Sequence, residues 1–123
     1  MAAAEQKAAN LLTEAERKAA VKRAAQMLAE KTAHFAKEMG VTYGRITIRE
    51  QKTRWGSCSS AGNLNYNWKL VLMPERVMDY VVIHELAHRK EMNHSARFYA
   101  VVAQQMPDYK VWQSWLKEHG REY

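Results

Sequence analysis

His84 and His88 stand four residues apart with Glu85 beside the first, in the second half of a segment that reads as a helix. Residues i and i+4 of a helix share a face, so both imidazoles can reach one metal ion, and Glu85 lies where it can activate a bound water. No other feature constrains the fold as strongly. The segment must be helical, and the chain must turn back after it if a further ligand is to arrive. His94, six residues beyond His88, is that candidate. A catalytic zinc takes three protein ligands and a water, and His84, His88 and His94 supply three. No cysteine lies near them in sequence, which argues against a closed, cysteine-rich structural site. The pattern therefore predicts one catalytic Zn2+. Such an ion lowers the pKa of its water toward roughly 7 and polarises the carbonyl under attack. Glu85 takes the water's proton and later delivers it to the leaving group. The duller reading is a buried helix that carries histidines by accident; three compatible spacings weigh against it. His34 and His119 read as surface or helix-end residues.

The chain has 123 residues, enough for one domain, and is 47% hydrophobic and 26% charged, as folded soluble proteins are. Many of the apolar residues are alanines of the N-terminal third. No run approaches the roughly 18 apolar residues of a membrane span, and residues 1–10 lack the basic start and apolar centre of a signal peptide. The single cysteine, Cys58, cannot form an internal disulfide. Cytoplasmic residence is the default expectation. The net charge of +6 permits a nucleic-acid partner, but Lys and Arg are spread along the chain without a five-residue cluster, as on a solvated basic surface.

Residues 13–39 read as one long helix, with Thr13 and Glu16 as a capping box, Gly40 as its stop, and Val21, Leu28, Thr32, Phe35 and Met39 as its stripe. Residues 41–50 read as a strand, 51–60 as a loop, 61–63 as a hairpin turn, and 64–73 as a second strand. Pro74 suits the first turn of the metal helix, which is expected to run to Met92-Asn93, with Asn93 able to adopt the left-handed turn. Ser95 can cap a helix over 96–106, and 110–119 forms a last helix that buries Trp112, Trp115 and Leu116. The expected fold is α+β. A small antiparallel sheet packs on the long N-terminal helix and the metal helix, with further helices after them. One domain spans 1–123, with 1–12 as a disordered or helical extension.

The spacing of the three histidines is that of the metzincin peptidases, but Glu91 stands where their motif has Gly, and no Met-turn is evident. A wider resemblance runs through residues 45–59, including Arg54-Trp55-Gly56-Ser57-Cys58, and through 62–68. It continues with Pro74, Val77, Asp79, Tyr80 and Val81, then 84–88, 93–98 and 106–109. In these separated, ordered motifs the chain resembles the YgjP-like metallopeptidase family, related to SprT-like and minimal gluzincin-like peptidases. The resemblance implies a small zincin-type hydrolase with His84, His88 and His94 as zinc ligands and Glu85 as general base. Usual members carry a further N-terminal half of mainly strand character. This chain begins at the helix, as a minimal catalytic core or a truncated piece. Family names divide between metallopeptidases and nucleotide pyrophosphatases.

Several other residues can line a cleft. A strand over 64–73 can pair with an extended peptide at a sheet edge, with Asn65 and Asn67 touching substrate, or these can be plain solvent-facing residues. Arg54 can hold a carboxylate or phosphate, or remain solvated. Trp55 is cleft wall or core. Cys58 is a zinc ligand that blocks the ion, or a buried free thiol. Tyr66, Tyr80 and Tyr99 can each face a developing oxyanion or pack in the core. Phe98 is expected as an anchor behind His94. Three functions follow: a zinc-dependent peptidase acting on peptide or protein; a metal-dependent, UTP-type nucleotide pyrophosphatase with Arg54, Lys69 and Arg89 at the phosphates; and a non-catalytic, zinc-stabilised DNA-binding module. The presence of Glu85 argues against the last.

Overall fold

Alanine spacing sets how closely the first helix can approach its neighbours. In helix α1 (Glu14–Met39) the buried stripe is Ala20, Ala24, Leu28, Thr32, Ala36 and Met39. Three of these six are alanine, so the backbones α1 packs against come close. Val21 and Phe35, expected in the stripe, lie at its half-buried margins. The capping box is formed, with Thr13 accepting from the Glu16 amide and Glu16 from the Thr13 amide, and Gly40 closes the helix in the left-handed conformation at φ 69°. The structure is a computed structural model and describes residues 7–52 and 54–123. Ala8–Leu11 forms a single 3-10 turn ahead of α1; residues 1–6 of the expected extension lie outside the described residues.

Three short strands follow: β1 (Ile46–Arg49), β2 (Gly56–Cys58) and β3 (Leu64–Asn67), in the order β1-β3-β2. The sheet is mixed rather than antiparallel. β1 runs parallel to β3, and β2 runs antiparallel to it. The difference comes from residues 56–58, expected in a loop. They add a strand on the far side of β3, and the hairpin through Gly62 (φ 91°) joins β2, not β1, to β3. β3 also ends sooner than its pattern suggests. The Asn67 side chain accepts the Lys69 amide and starts a 3-10 turn over Trp68–Leu72.

Helix α2 (Glu75–Ala87) starts after Pro74 and is buried at ten of its thirteen positions. It ends earlier than expected. The amides of His88, Arg89 and Lys90 bond to carbonyls three residues back, which tightens the chain into a turn. Asn93 does not take a left-handed conformation; among the described residues only glycines have positive φ. Helices α3 (Ala96–Gln105), capped by Ser95, and α4 (Tyr109–His119) complete an α+β fold, with four α-helices and one sheet among the described residues. Trp112, Trp115 and Leu116 of α4 are half-buried. Among the described residues no helix is long and apolar enough to cross a membrane.

One face of the sheet looks at the helices. Tyr66 reaches Thr32 of α1 through hydroxyls 3.0 Å apart, and a side chain at Gly56 would meet Val81 and Glu85 of α2. Lys31 of α1 ties down the first turns of α2 through Glu75 (2.6 Å) and Asp79 (2.7 Å). Arg89 clamps the other end. Its Nε donates to the Thr42 carbonyl at 2.9 Å and its Nη1 to the Ser60 carbonyl at 3.2 Å. A Cβ on Gly62 would sit 2.7 Å from the Arg89 guanidinium carbon. Gly62→Ala therefore meets both a disfavoured φ and a clash, and is expected to cost about 1–3 kcal/mol in urea unfolding. An unchanged midpoint and slope would show that this clamp is slack.

Candidate metal centre

His84 of α2 and His88, which caps it, are half-buried where the residues between them are buried, and the turn that follows brings His94 back. One ligand nitrogen from each of the three lies within 4.8 Å of the others. His84 Nε2 and His94 Nε2 are 3.2 Å apart. Two imidazole nitrogens at roughly 2.0–2.1 Å from a tetrahedral zinc are themselves about 3.3 Å apart, so this spacing suits that ion.

Each ring is held from behind. His88 Nδ1–H donates to the Glu91 carbonyl at 3.2 Å, which leaves Nε2 for a metal. With Nε2 of His84 likewise free, its Nδ1–H donates to the Tyr80 hydroxyl in a long bond of 3.4 Å. Phe98 lies beneath all three, fully buried, with its ring centroid 4.9 Å from His84, 4.5 Å from His88 and 4.9 Å from His94. His94 is exposed, and Tyr99 stacks along its other side at 6.2 Å. Burial and the neighbouring imidazoles push His84 down to about 4; burial also lowers His88, against the opposing pull of the Glu91 carbonyl. Neutral imidazoles are what a metal requires, because a protonated ring has no lone pair to give. The donor set thus fits a zinc ion.

Glu85 lines the same cavity as the three histidines and is only 6% exposed. Burial pushes its carboxyl up to about 7, with the Arg54 guanidinium pulling the opposite way. Gly56 explains how β2 comes so near. A Cβ there would lie 3.0 Å from Val81 Cγ1 and 3.2 Å from Glu85 Oε2. The space between is a cavity of about 390 Å3 lined by Arg54, Gly56, Ser57 and Cys58 on one wall and His84, Glu85, His88, Met92 and His94 on the other.

Of the residues expected at the cleft, Arg54 lines the cavity with the three histidines and Glu85. Asn65 does not. It bonds Ser57 and Arg49 on the sheet face turned away from α2. Asn67 is buried at 2% exposure and donates to the carbonyls of Gln51 and Arg54, so it holds the loop rather than a ligand. Cys58 lines the cavity, half-buried, but stands outside the ligand cluster; burial raises its thiol, and Glu85 raises it further. Tyr66 is spent on Thr32 in the core, and Tyr80 stands behind His84 rather than before it. Trp55 packs on Gly120 and also walls a smaller cavity beside Glu85. Of the phosphate candidates, Arg89 is tied to two backbone carbonyls and Lys69 lies 3.8 Å from Glu50.

Sequence reasoning missed β2 as a cavity wall. The bonds from the Asn67 amide to the Trp55 carbonyl and from the Ser59 amide to the Asn63 carbonyl turn residues 55 and 59 toward β3. By strand alternation, Gly56 and Cys58 then aim their amides and carbonyls outward, at the edge over the metal cavity. A strand of three residues carries no alternation of apolar and polar side chains that could have announced it.

The family model for the YgjP-like metallopeptidase domain matches residues 2–119. The chain belongs to the YgjP-like metallopeptidase family. No curated protein sequence matches it. Among solved structures it is similar to the metallopeptidase zymogen abylysin of Pyrococcus abyssi, at 23% identity and a TM-score of 0.66, over 74% of this chain and 93% of that one. It is also similar to the metallopeptidase zymogen jannalysin of Methanocaldococcus jannaschii, at 19% identity and 0.57, over 68% and 90%. These likenesses show the fold. The three-histidine cluster of this YgjP-like chain is where a metallopeptidase's metal can be held.

Tyr80→Phe removes the hydroxyl behind His84 and keeps the ring. Metal affinity is expected to fall about tenfold, the lower end for losing an outer partner of a ligating histidine. Competition with a chromogenic chelator measures it; an unchanged affinity would show that the hydroxyl does not orient His84.

Proposed function

We propose that this YgjP-like chain is a zinc-dependent peptidase in which Glu85 activates the attacking water. The observation that carries the reading is one cavity lined by Glu85, by three converging imidazoles and by Gly56 and Cys58 of β2. His84, His88 and His94 would hold the ion. When bound, zinc in such a site acidifies a water toward neutral pH and polarises the carbonyl under attack. Glu85 accepts the water's proton as the new C–O bond forms, and passes it to the amide nitrogen as the C–N bond breaks. Gly56 and Cys58 offer backbone donors and acceptors to an extended peptide, which lies along β2 as an added strand. This replaces β3 as the pairing strand, since β3 is the central strand of the sheet. Arg54, at the mouth of the same cavity, is available to a substrate carbonyl or carboxylate.

The peptide reading is favoured over a nucleotide pyrophosphatase by the basic residues. Only Arg54 of the three phosphate candidates lines the cavity, and a triphosphate would need more neutralising charge. A non-catalytic DNA-binding role gives Glu85 no task.

Glu85→Gln is nearly isosteric and lies outside the ligand set. It is expected to keep zinc and to lose about 10²–10⁴-fold in kcat on a cleaved peptide. Cleavage at the wild-type rate would sink the mechanism, and loss of zinc would make Glu85 a ligand instead of a base.

A further inference from the structure

The metal cavity does not stand alone. A second cavity of about 160 Å3 shares Gly56, His84 and Glu85 with it and is further lined by Trp55, Tyr80, Val81 and Leu116. An apolar cavity of roughly 150 Å3 accepts a benzene-sized group, so this one takes a single branched or aromatic side chain. A third, about 470 Å3, shares Trp55 and Leu116 with the second. The shared walls put the three in series: reacting centre, apolar pocket, outer cleft.

The outer cleft is cationic. Lys7, Lys52, Lys69 and Arg121 line it. Its acid, Glu50, is already engaged: Oε1 accepts from Arg17 at 2.8 Å and from the Trp68 indole at 2.9 Å, and Oε2 lies 3.8 Å from Lys69. Lys7, Lys52 and Arg121 have no ion-pair partner among the described residues. Four cationic side chains thus line the cleft against the one carboxylate of Glu50. Its aromatic residues are spent on packing: Trp55 lies against Gly120, and Tyr123 tilts onto Trp115 at 6.1 Å. A base-stacking platform is therefore lacking, and an anionic peptide suits the cleft better than single-stranded nucleic acid.

We propose that this cleft binds carboxylates of the substrate peptide. The preferred substrate then carries an apolar residue next to the cut bond and acidic residues further along the same side. The proposal rests on the peptidase reading and adds its specificity. Exposed cations acting together steer and hold an anionic segment, and salt screens them over roughly 8–10 Å.

The test uses fluorogenic peptides with a common Leu-containing centre and a Glu, Gln or Lys pair placed two to four residues to either side. The zinc-loaded protein is expected to favour Glu over Lys by about tenfold in kcat/KM at low salt, mainly through KM and on one side only. That ratio should shrink as salt rises and reverse in a Lys52→Glu, Arg121→Glu double variant. Equal kcat/KM for Glu and Lys peptides, or a ratio that ignores the charge reversal, overturns the proposal. Binding of the same peptides to zinc-loaded Glu85→Gln protein, read by anisotropy, separates the two claims. Acid-selective binding that the charge reversal abolishes supports the cleft, even if wild-type protein cuts no peptide and the peptidase reading falls. Displacement of the acidic peptide by a thymidine oligonucleotide that binds more tightly assigns the cleft to nucleic acid and overturns it.

Discussion

The seating of Phe98 is the contact on which the candidate metal centre depends. A metal site needs its imidazoles exposed enough to meet an ion, yet each must be fixed within a fraction of an ångström. Phe98 reconciles the two. Its ring is fully buried and touches His84, His88 and His94 from below, so the core itself is the floor of the site. The placement is local in origin. Ser95 accepts the Phe98 amide and starts α3, which sets Phe98 inward while His94, one residue before the cap, stays out. The short hydrogen-bonded turn after Ala87 does the rest, and its Glu91 carbonyl also aligns His88.

On the opposite wall the controlling constraint is the absence of a side chain. Gly56 lets β2 lie against Val81 and Glu85, with contacts that any Cβ would crowd. Burial of Glu85 follows from that approach, as does the position of the outward edge of β2 over the histidines. The hairpin that carries β2 is held to the end of α2 by Arg89, directly after the metal motif. Helix, sheet and histidines are thus fixed by a few residues close in sequence to the site they build.

What could be read from the sequence was whatever depends on local periodicity. The capping box at Thr13, the Gly40 stop, the start of α2 after Pro74 and the Ser95 cap are all recoverable from a few adjacent residues. The histidine spacing points to its cluster because helix geometry alone joins His84 to His88. The features that escaped are tertiary. A three-residue strand such as β2 has no period to detect, and its existence depends on pairing with Leu64–Asn67. Without it the sheet looks antiparallel and β3 looks like an edge, which is why Asn65 and Asn67 were expected at a cleft they do not reach. Asn67 reads as a solvent-facing strand residue, yet its amide is spent on two carbonyls and a 3-10 turn. α2 ends early because bonds three residues back replace those four back, a choice the side chains of residues 88–92 do not announce.

The central claim is that three imidazoles, and no thiolate, hold one zinc with a position left for water. X-ray absorption of the zinc-loaded protein measures this directly. The account predicts one zinc per chain with three imidazole nitrogens and one oxygen, all at about 2.0–2.1 Å. A sulfur scatterer at about 2.3 Å, which only Cys58 or a methionine could provide, or fewer than three imidazoles, would contradict it.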